Sequence, residues 1–196
     1  MSPVDQILEW IAAISGILCV FLLTRENIWA WIFGLLSVAI YVYIFWINKL
    51  YSDTILHVVY VLLNAYGLYV WTRRSKNPGP SQSELLPITW LPDIQRWGYL
   101  ILIVIGSLLW GYGMHRYTDA SYPYPDAFTT VASLVAQYLI ARKRLENWMI
   151  WIVVDIVAIV IYGLKGIWVT SGLYVVYLVL SVMGYREWKR KMAGVQ

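Results

Sequence analysis

The sequence predicts an all-α integral membrane protein of seven transmembrane helices. Three observations predict it: charge is scarce, apolar runs recur at membrane-spanning length, and basic residues gather on alternate connections. Of 196 residues, 60% are hydrophobic and 13% charged, with a mean hydropathy of +0.61. Soluble domains carry roughly 25% charged residues, so this chain cannot cover a water-facing surface, and lipid is its natural solvent. A helix needs about 20 apolar residues to cross a hydrocarbon layer about 30 Å thick. Long continuous runs without alternating polarity select helices over a barrel.

The spans follow in order. The first, 7–23, comes after an acidic start, MSPVDQILEW, without a small-residue cleavage site, which reads as a retained span rather than a leader. It holds the single cysteine, Cys19, so no intramolecular disulfide is expected. The second runs over 28–46. The third, 54–71, carries His57, Tyr60 and Asn64 at spacings of three and four, which puts them on one helical face. These spans form a first three-helix unit, 1–74. A cytoplasmic linker, 75–96, follows; its stretch SKNPGPSQSELLP is broken by Pro78, Gly79 and Pro80. The fourth span, 97–113, is a connector within 97–114, and HRYTDASYPYPD, 115–126, is an outer loop of turn formers. The fifth, 127–141, is short and the most polar, with Thr129, Thr130, Ser133 and Gln137. The sixth, 148–164, places Asp155 near its middle and carries Trp148 and Trp151. The seventh, 167–187, carries Tyr174, Tyr177 and Ser181. A second unit thus covers 127–191, with a tail at 192–196.

The connections set an orientation. With the N-terminus outside, the cytoplasmic side holds Arg25; Arg73, Arg74, Lys76 and Arg96; Arg142, Lys143 and Arg144; and Arg186, Lys189, Arg190 and Lys191. Only Lys49, Arg116 and Lys165, of fifteen basic residues, fall outside. Positive charge marks the cytoplasmic face, so the expected topology is N-out and C-in. The net charge of +4 therefore sets topology and does not suggest nucleic-acid binding.

The two halves resemble each other. ENIWAWI from Glu26 answers ENWMIWI from Glu146 at an offset of 120, pairing Trp31 with Trp151. Tyr60-x3-Asn64-x2-Gly67-x3-Trp71 answers Tyr177-x3-Ser181-x2-Gly184-x3-Trp188 at an offset of 117. Two triplets joined by one connector helix run parallel, a 3+1+3 plan. Parallel repeats are a recurring transporter architecture, with the solute site near the midplane at the repeat interface. Gly67 and Gly184 read as points of close helix approach. Trp71 and Trp188, beside basic runs, read as interface anchors, as do Trp29 and Trp31.

Polar side chains in apolar spans usually face a cavity or the protein interior. The candidate solute-binding set is His57, Tyr60 and Asn64 on the third helix, and Ser133 and Gln137 on the fifth. Trp151 and Asp155 on the sixth and Tyr174, Tyr177 and Ser181 on the seventh complete it. Aromatic faces stack on flat solutes and hold cations, and amides and hydroxyls replace water around a sugar. The competing role for each is interhelical glue, and Asp155 could pair with a hydroxyl. No HExxH, GxSxG or P-loop is present, which leaves membrane enzymology little to stand on. No metal or cofactor is expected. A receptor or accessory subunit is the other alternative, though it needs no duplicated polar face.

The segments LEWIAAISGILCV, ENIWAWIFGLLSVAIYVYIFWINKLYSD, VLLNAYGLYVWTRR, DAFTTVASLVAQYLIARKRLENWMIWIVVDIVAIVIYGLKG and GLYVVYLVLSVMGYREWKRK resemble the Pnu-type vitamin transporters over nearly the whole chain. The resemblance implies an arrangement akin to the SWEET sugar transporters and homo-oligomers, expected as trimers. It also implies facilitated diffusion of nicotinamide riboside, trapped by cytoplasmic phosphorylation, across the bacterial inner membrane, with no cofactor. Thiamine and riboflavin are the alternative solutes. The chain departs from the family pattern at His57, where Gln is common, and at Met183, where Asn is common.

Overall fold

A computed structural model describes residues 3–49, 51–73, 86–118 and 121–194. Within them lie seven helices: α1 (Pro3–Thr24), α2 (Trp29–Ile47), α3 (Tyr51–Thr72), α4 (Asp93–Tyr117), α5 (Pro123–Ala141), α6 (Glu146–Leu164) and α7 (Trp168–Ala193). Most of the Pro- and Gly-containing linker, together with Asp119, lies outside the described residues. The helices run past the apolar stretches that predicted them. α4 begins four residues before Trp97 and reaches Tyr117, and α5 starts at Pro123, inside the stretch read as loop. The reason is local: Pro92 and Pro123 suit helix starts, because proline fixes φ and its missing N–H is not needed there.

Among the described residues six helices are long and apolar enough to cross a membrane; α5 is not among them. It is instead buried along much of its length, with Ala127, Ala132, Ala136, Leu139, Ile140 and Ala141 at 1% exposure or less. A helix shielded by protein tolerates Thr129, Thr130, Ser133 and Gln137 because little of it meets acyl chains. By contrast α4 exposes Trp97, Ile101, Leu102, Ile105, Leu108 and Leu109, an apolar face suited to acyl chains.

The chain divides into two compact units, Met1–Pro87 with Ala141–Lys143, and Ile88–Ile140 with Arg144–Gln196. In the first, α1 packs on α2 and α2 on α3. Ser37 Oγ donates to the Ala12 carbonyl at 2.8 Å, tying α1 to α2. The α1–α2 turn holds Glu26 at φ 57°. Lys143, also left-handed at φ 50°, binds Glu26 Oε2 through Nζ at 2.7 Å and lies 4.7 Å from the Trp71 ring centroid. Trp71 Nε1 in turn donates to the Ala141 carbonyl at 3.1 Å. In the second unit, Leu91, Ile103, Ala132, Val135, Leu139 and Val154 form a core drawn from α4, α5, α6 and the segment before α4, and α7 packs on α6. Both carboxylate oxygens of Glu146 accept the Leu91 N–H, at 3.0 and 3.1 Å, and Oε1 accepts Arg96 Nη2 at 3.1 Å. Glu146 thereby fixes the entry into α4.

Internal details of the two units match at one uniform offset of 117. α2 and α6 have the same length, and both their ends differ by 117. Trp31 stands edge-on to Trp71 at 5.3 Å and 81°, and Trp148 to Trp188 at 5.4 Å and 89°. The Asn27 N–H reaches the Leu22 carbonyl at 3.0 Å, and the Arg144 N–H the Leu139 carbonyl at 2.9 Å. Left-handed Lys49, at φ 60°, corresponds to Gly166, at φ 73°. This corrects the offset of 120 expected for ENIWAWI and ENWMIWI. The counterpart of Trp31 is Trp148, not Trp151, and the counterpart of Glu26 is Lys143, not Glu146. The two Glu-Asn pairs do different work, one in a left-handed turn and one opening a helix.

A second correction concerns the tryptophans read as interface anchors. Trp31 is 0% exposed, Trp71 4% and Trp188 0%. Trp31 of α2 lies against Gly67 of α3, and Trp148 of α6 against Gly184 of α7: a Cβ on Gly67 would strike the Trp31 ring, and one on Gly184 would meet Trp148 Cε2 at 2.6 Å. The missing side chains make room for the indoles, so these rings are packing keys. Trp29, 61% exposed, fits its anchor reading.

Candidate functional site

In the first unit, the predicted His57 and Tyr60 join Tyr41 and Phe45 in an aromatic cluster. His57 lies 4.8 Å from Phe45, 5.6 Å from Tyr41 and 5.8 Å from Tyr60, centroid to centroid. Helix geometry puts these residues together: 57 and 60 share one face of α3, and 41 and 45 one face of α2. His57 Nδ1 sits 2.9 Å from the Asp53 carbonyl, which fixes the ring through an Nδ1–H donor and leaves Nε2 for another partner. Asn64, 2% exposed, donates through Nδ2 to the Tyr60 carbonyl at 2.8 Å. Its Oδ1 is buried without a hydrogen-bond partner and presses on Gly34, whose lack of a side chain admits it.

In the second unit, Asp155 and Ser181 come together. Ser181 Oγ donates to Asp155 Oδ2 at 2.9 Å, and both residues are 2% exposed. Tyr174 stacks on Tyr162 at 5.4 Å and 13° and stands edge-on to Tyr177 at 6.0 Å. These rings repeat those of the first unit at the same offset: Phe45 answers Tyr162, His57 answers Tyr174 and Tyr60 answers Tyr177. Ser133 donates to the Thr130 carbonyl of its own helix at 3.0 Å. Gln137 is 8% exposed, and no hydrogen bond engages its amide among the described residues. Trp151 is half-buried against the core of its unit.

The predicted residues therefore form three local groups: His57 with Tyr60 and Asn64, Asp155 with Ser181, and Tyr174 with Tyr177. Ser133 and Gln137 lie four residues apart on α5, and Trp151 lies four residues before Asp155 on α6. Sequence reasoning missed Tyr41, Phe45 and Tyr162, which read as ordinary apolar-span residues. It also missed the buried Nε1 groups of Trp31 and Trp148, which lack hydrogen-bond partners. Extending the offset of 117 from the third helix back through the second would have paired Phe45 with Tyr162 and Trp31 with Trp148.

Long apolar helices, an exposed apolar face on α4 and buried polar groups within the spans define a multi-pass membrane protein with transporter character. The chain belongs to the nicotinamide mononucleotide transporter family, whose profile matches residues 6–190. It is 29% identical to the nicotinamide riboside transporter PnuC of Escherichia coli, over 92% of this chain and 85% of that protein. It is 31% identical to the PnuC of Neisseria mucosa, over 95% of this chain and 73% of that one. The crystal structure of the vitamin B3 transporter PnuC superposes with a TM-score of 0.73 at 29% identity, covering 96% of this chain and 83% of the solved one.

Proposed function

We propose that this protein carries nicotinamide riboside across a bacterial inner membrane by facilitated diffusion, with cytoplasmic phosphorylation trapping the solute. The likeness to proteins named for that solute supports the choice of substrate. The observation that carries the reading is the presence, within apolar helices, of ring clusters and of buried polar groups that packing does not fully engage: Asn64, whose Oδ1 has no partner, Gln137 on α5, and Asp155 on α6, which accepts from Ser181 through Oδ2 alone. A nicotinamide ring suits Tyr174 and Tyr177, and the ribose hydroxyls suit Gln137, Ser133 and Asn64. His57, Tyr60, Trp151 and Ser181 complete the proposed contact set. The charge distribution supports an N-out, C-in topology, and the likeness to the family supports homotrimers.

Purified protein in liposomes is expected to take up labelled nicotinamide riboside saturably, with a rate unchanged by an imposed proton or sodium gradient. Gradient-driven accumulation would overturn the uncoupled mechanism, and tight binding without flux would favour a receptor. Thiamine and riboflavin, added as competitors, are expected to inhibit weakly; stronger inhibition by either reassigns the solute. Asn64→Ala and Gln137→Ala are each expected to weaken binding by about tenfold, the loss of one or two solute hydrogen bonds. Affinity unchanged in both removes them from the site.

A further inference from the structure

We infer that Asp155 is the charge filter of this protein, selecting solutes whose planar ring carries a positive charge. The inference rests on the transport reading above and deepens it. Asp155 is the tenth of the nineteen residues of α6, so it lies at mid-helix, and it is 2% exposed. Ser181 occupies one carboxylate oxygen, Oδ2. Among the described residues no hydrogen bond engages Oδ1, and no basic side chain pairs with the carboxyl. A carboxyl so far from water with no counter-charge is costly, and such residues mark solute or ion paths.

The repeat separates this carboxyl from the framework. At the uniform offset of 117 the first unit builds the same indole-on-glycine lock between its second and third helices, with Val38 where Asp155 stands and Asn64 where Ser181 stands. Packing the two helices therefore requires no acid. The same comparison puts Val20 opposite Gln137, which is 8% exposed and whose amide no hydrogen bond engages among the described residues. The second unit thus carries an acid and an amide where the first carries two valines. Tyr174 and Tyr177 precede Ser181 on α7 at spacings of three and four, so the ring faces that hold a cation lie on the helix that orients the carboxyl. A cationic ring supplies the counter-charge that the protein withholds.

The test compares nicotinamide riboside, whose pyridinium is cationic, with 1,4-dihydronicotinamide riboside, which is neutral and nearly the same in shape. Binding by calorimetry and flux in liposomes are read for both. The wild type is expected to prefer the cationic form by about tenfold or more. Asp155→Asn keeps the shape and can still accept from Ser181; it is expected to abolish the preference by weakening the cationic form alone. Ser181→Ala leaves the carboxyl in place but no longer oriented, and is expected to narrow the preference between the two forms. Equal affinity of the wild type for the two forms, or a preference that survives in Asp155→Asn, overturns the inference and leaves the transport reading standing. A wild type that binds neither form overturns both.

Discussion

Lys143 shows how much one residue can carry. It accepts a left-handed backbone, which costs an L-residue about 1–2 kcal/mol, and spans from the Glu26 carboxylate to the face of Trp71. Its side chain is 4% exposed and that of Glu26 19%, so the pair is largely desolvated. Removing one charge from such a pair strands the other. Glu26→Gln is therefore expected to destabilise the detergent-solubilised protein by about 3 kcal/mol, read as a lowered midpoint of thermal unfolding. Gly166 makes the complementary case. A Cβ there meets nothing within 4 Å, yet φ is 73°. Gly166→Ala is expected to cost about 1 kcal/mol from backbone strain alone. The first unit tolerates Lys49 at the equivalent position, which bounds that cost.

Among the elements, α2 with α3 and α6 with α7 are held by the same device, an indole laid on a glycine. Gly67→Ala and Gly184→Ala each drive a methyl into a ring that is at most 1% exposed and cannot move aside. Overpacking of this kind costs about 2 kcal/mol. The two substitutions are expected to destabilise to a similar degree, because the two locks have the same geometry; a cost at one site only would show that they are not equivalent. α5 illustrates the reverse relation between environment and composition. Its hydroxyls and amide made it the weakest span in the sequence, and the structure buries it where lipid has little access. Its hydropathy was low because protein, rather than the acyl layer, is its main solvent.

For the whole molecule, charge placement is the controlling term. Twelve of fifteen basic residues fall on one set of connections, and the positive-inside bias then sets orientation. A green fluorescent protein fused after Gln196 is expected to fluoresce, and an alkaline phosphatase fused there to be inactive, both reporting a cytoplasmic C-terminus. The reverse pair of results would invert the proposed topology and place the Arg142–Arg144 turn outside. Native mass spectrometry is expected to report three copies per particle.

Some of this was determined by the sequence alone. Helix number, the weak fifth span, the burial of Asn64, Gln137 and Asp155, and the close approach at Gly67 and Gly184 were all legible. Each follows from hydropathy, period or residue size, which are local properties. Family membership was legible too, because it is carried by long ordered segments. The register of the repeat was not: ENIWAWI and ENWMIWI are alike as strings, and only the left-handed turns and the indole–glycine locks showed that Trp148, not Trp151, answers Trp31. Nor could the sequence tell a buried tryptophan from an interfacial one, since both sit at a helix end beside basic residues. Those choices depend on what each ring meets across a helix pair. Contact between residues tens of positions apart is a property of tertiary packing, and only the folded structure decided it.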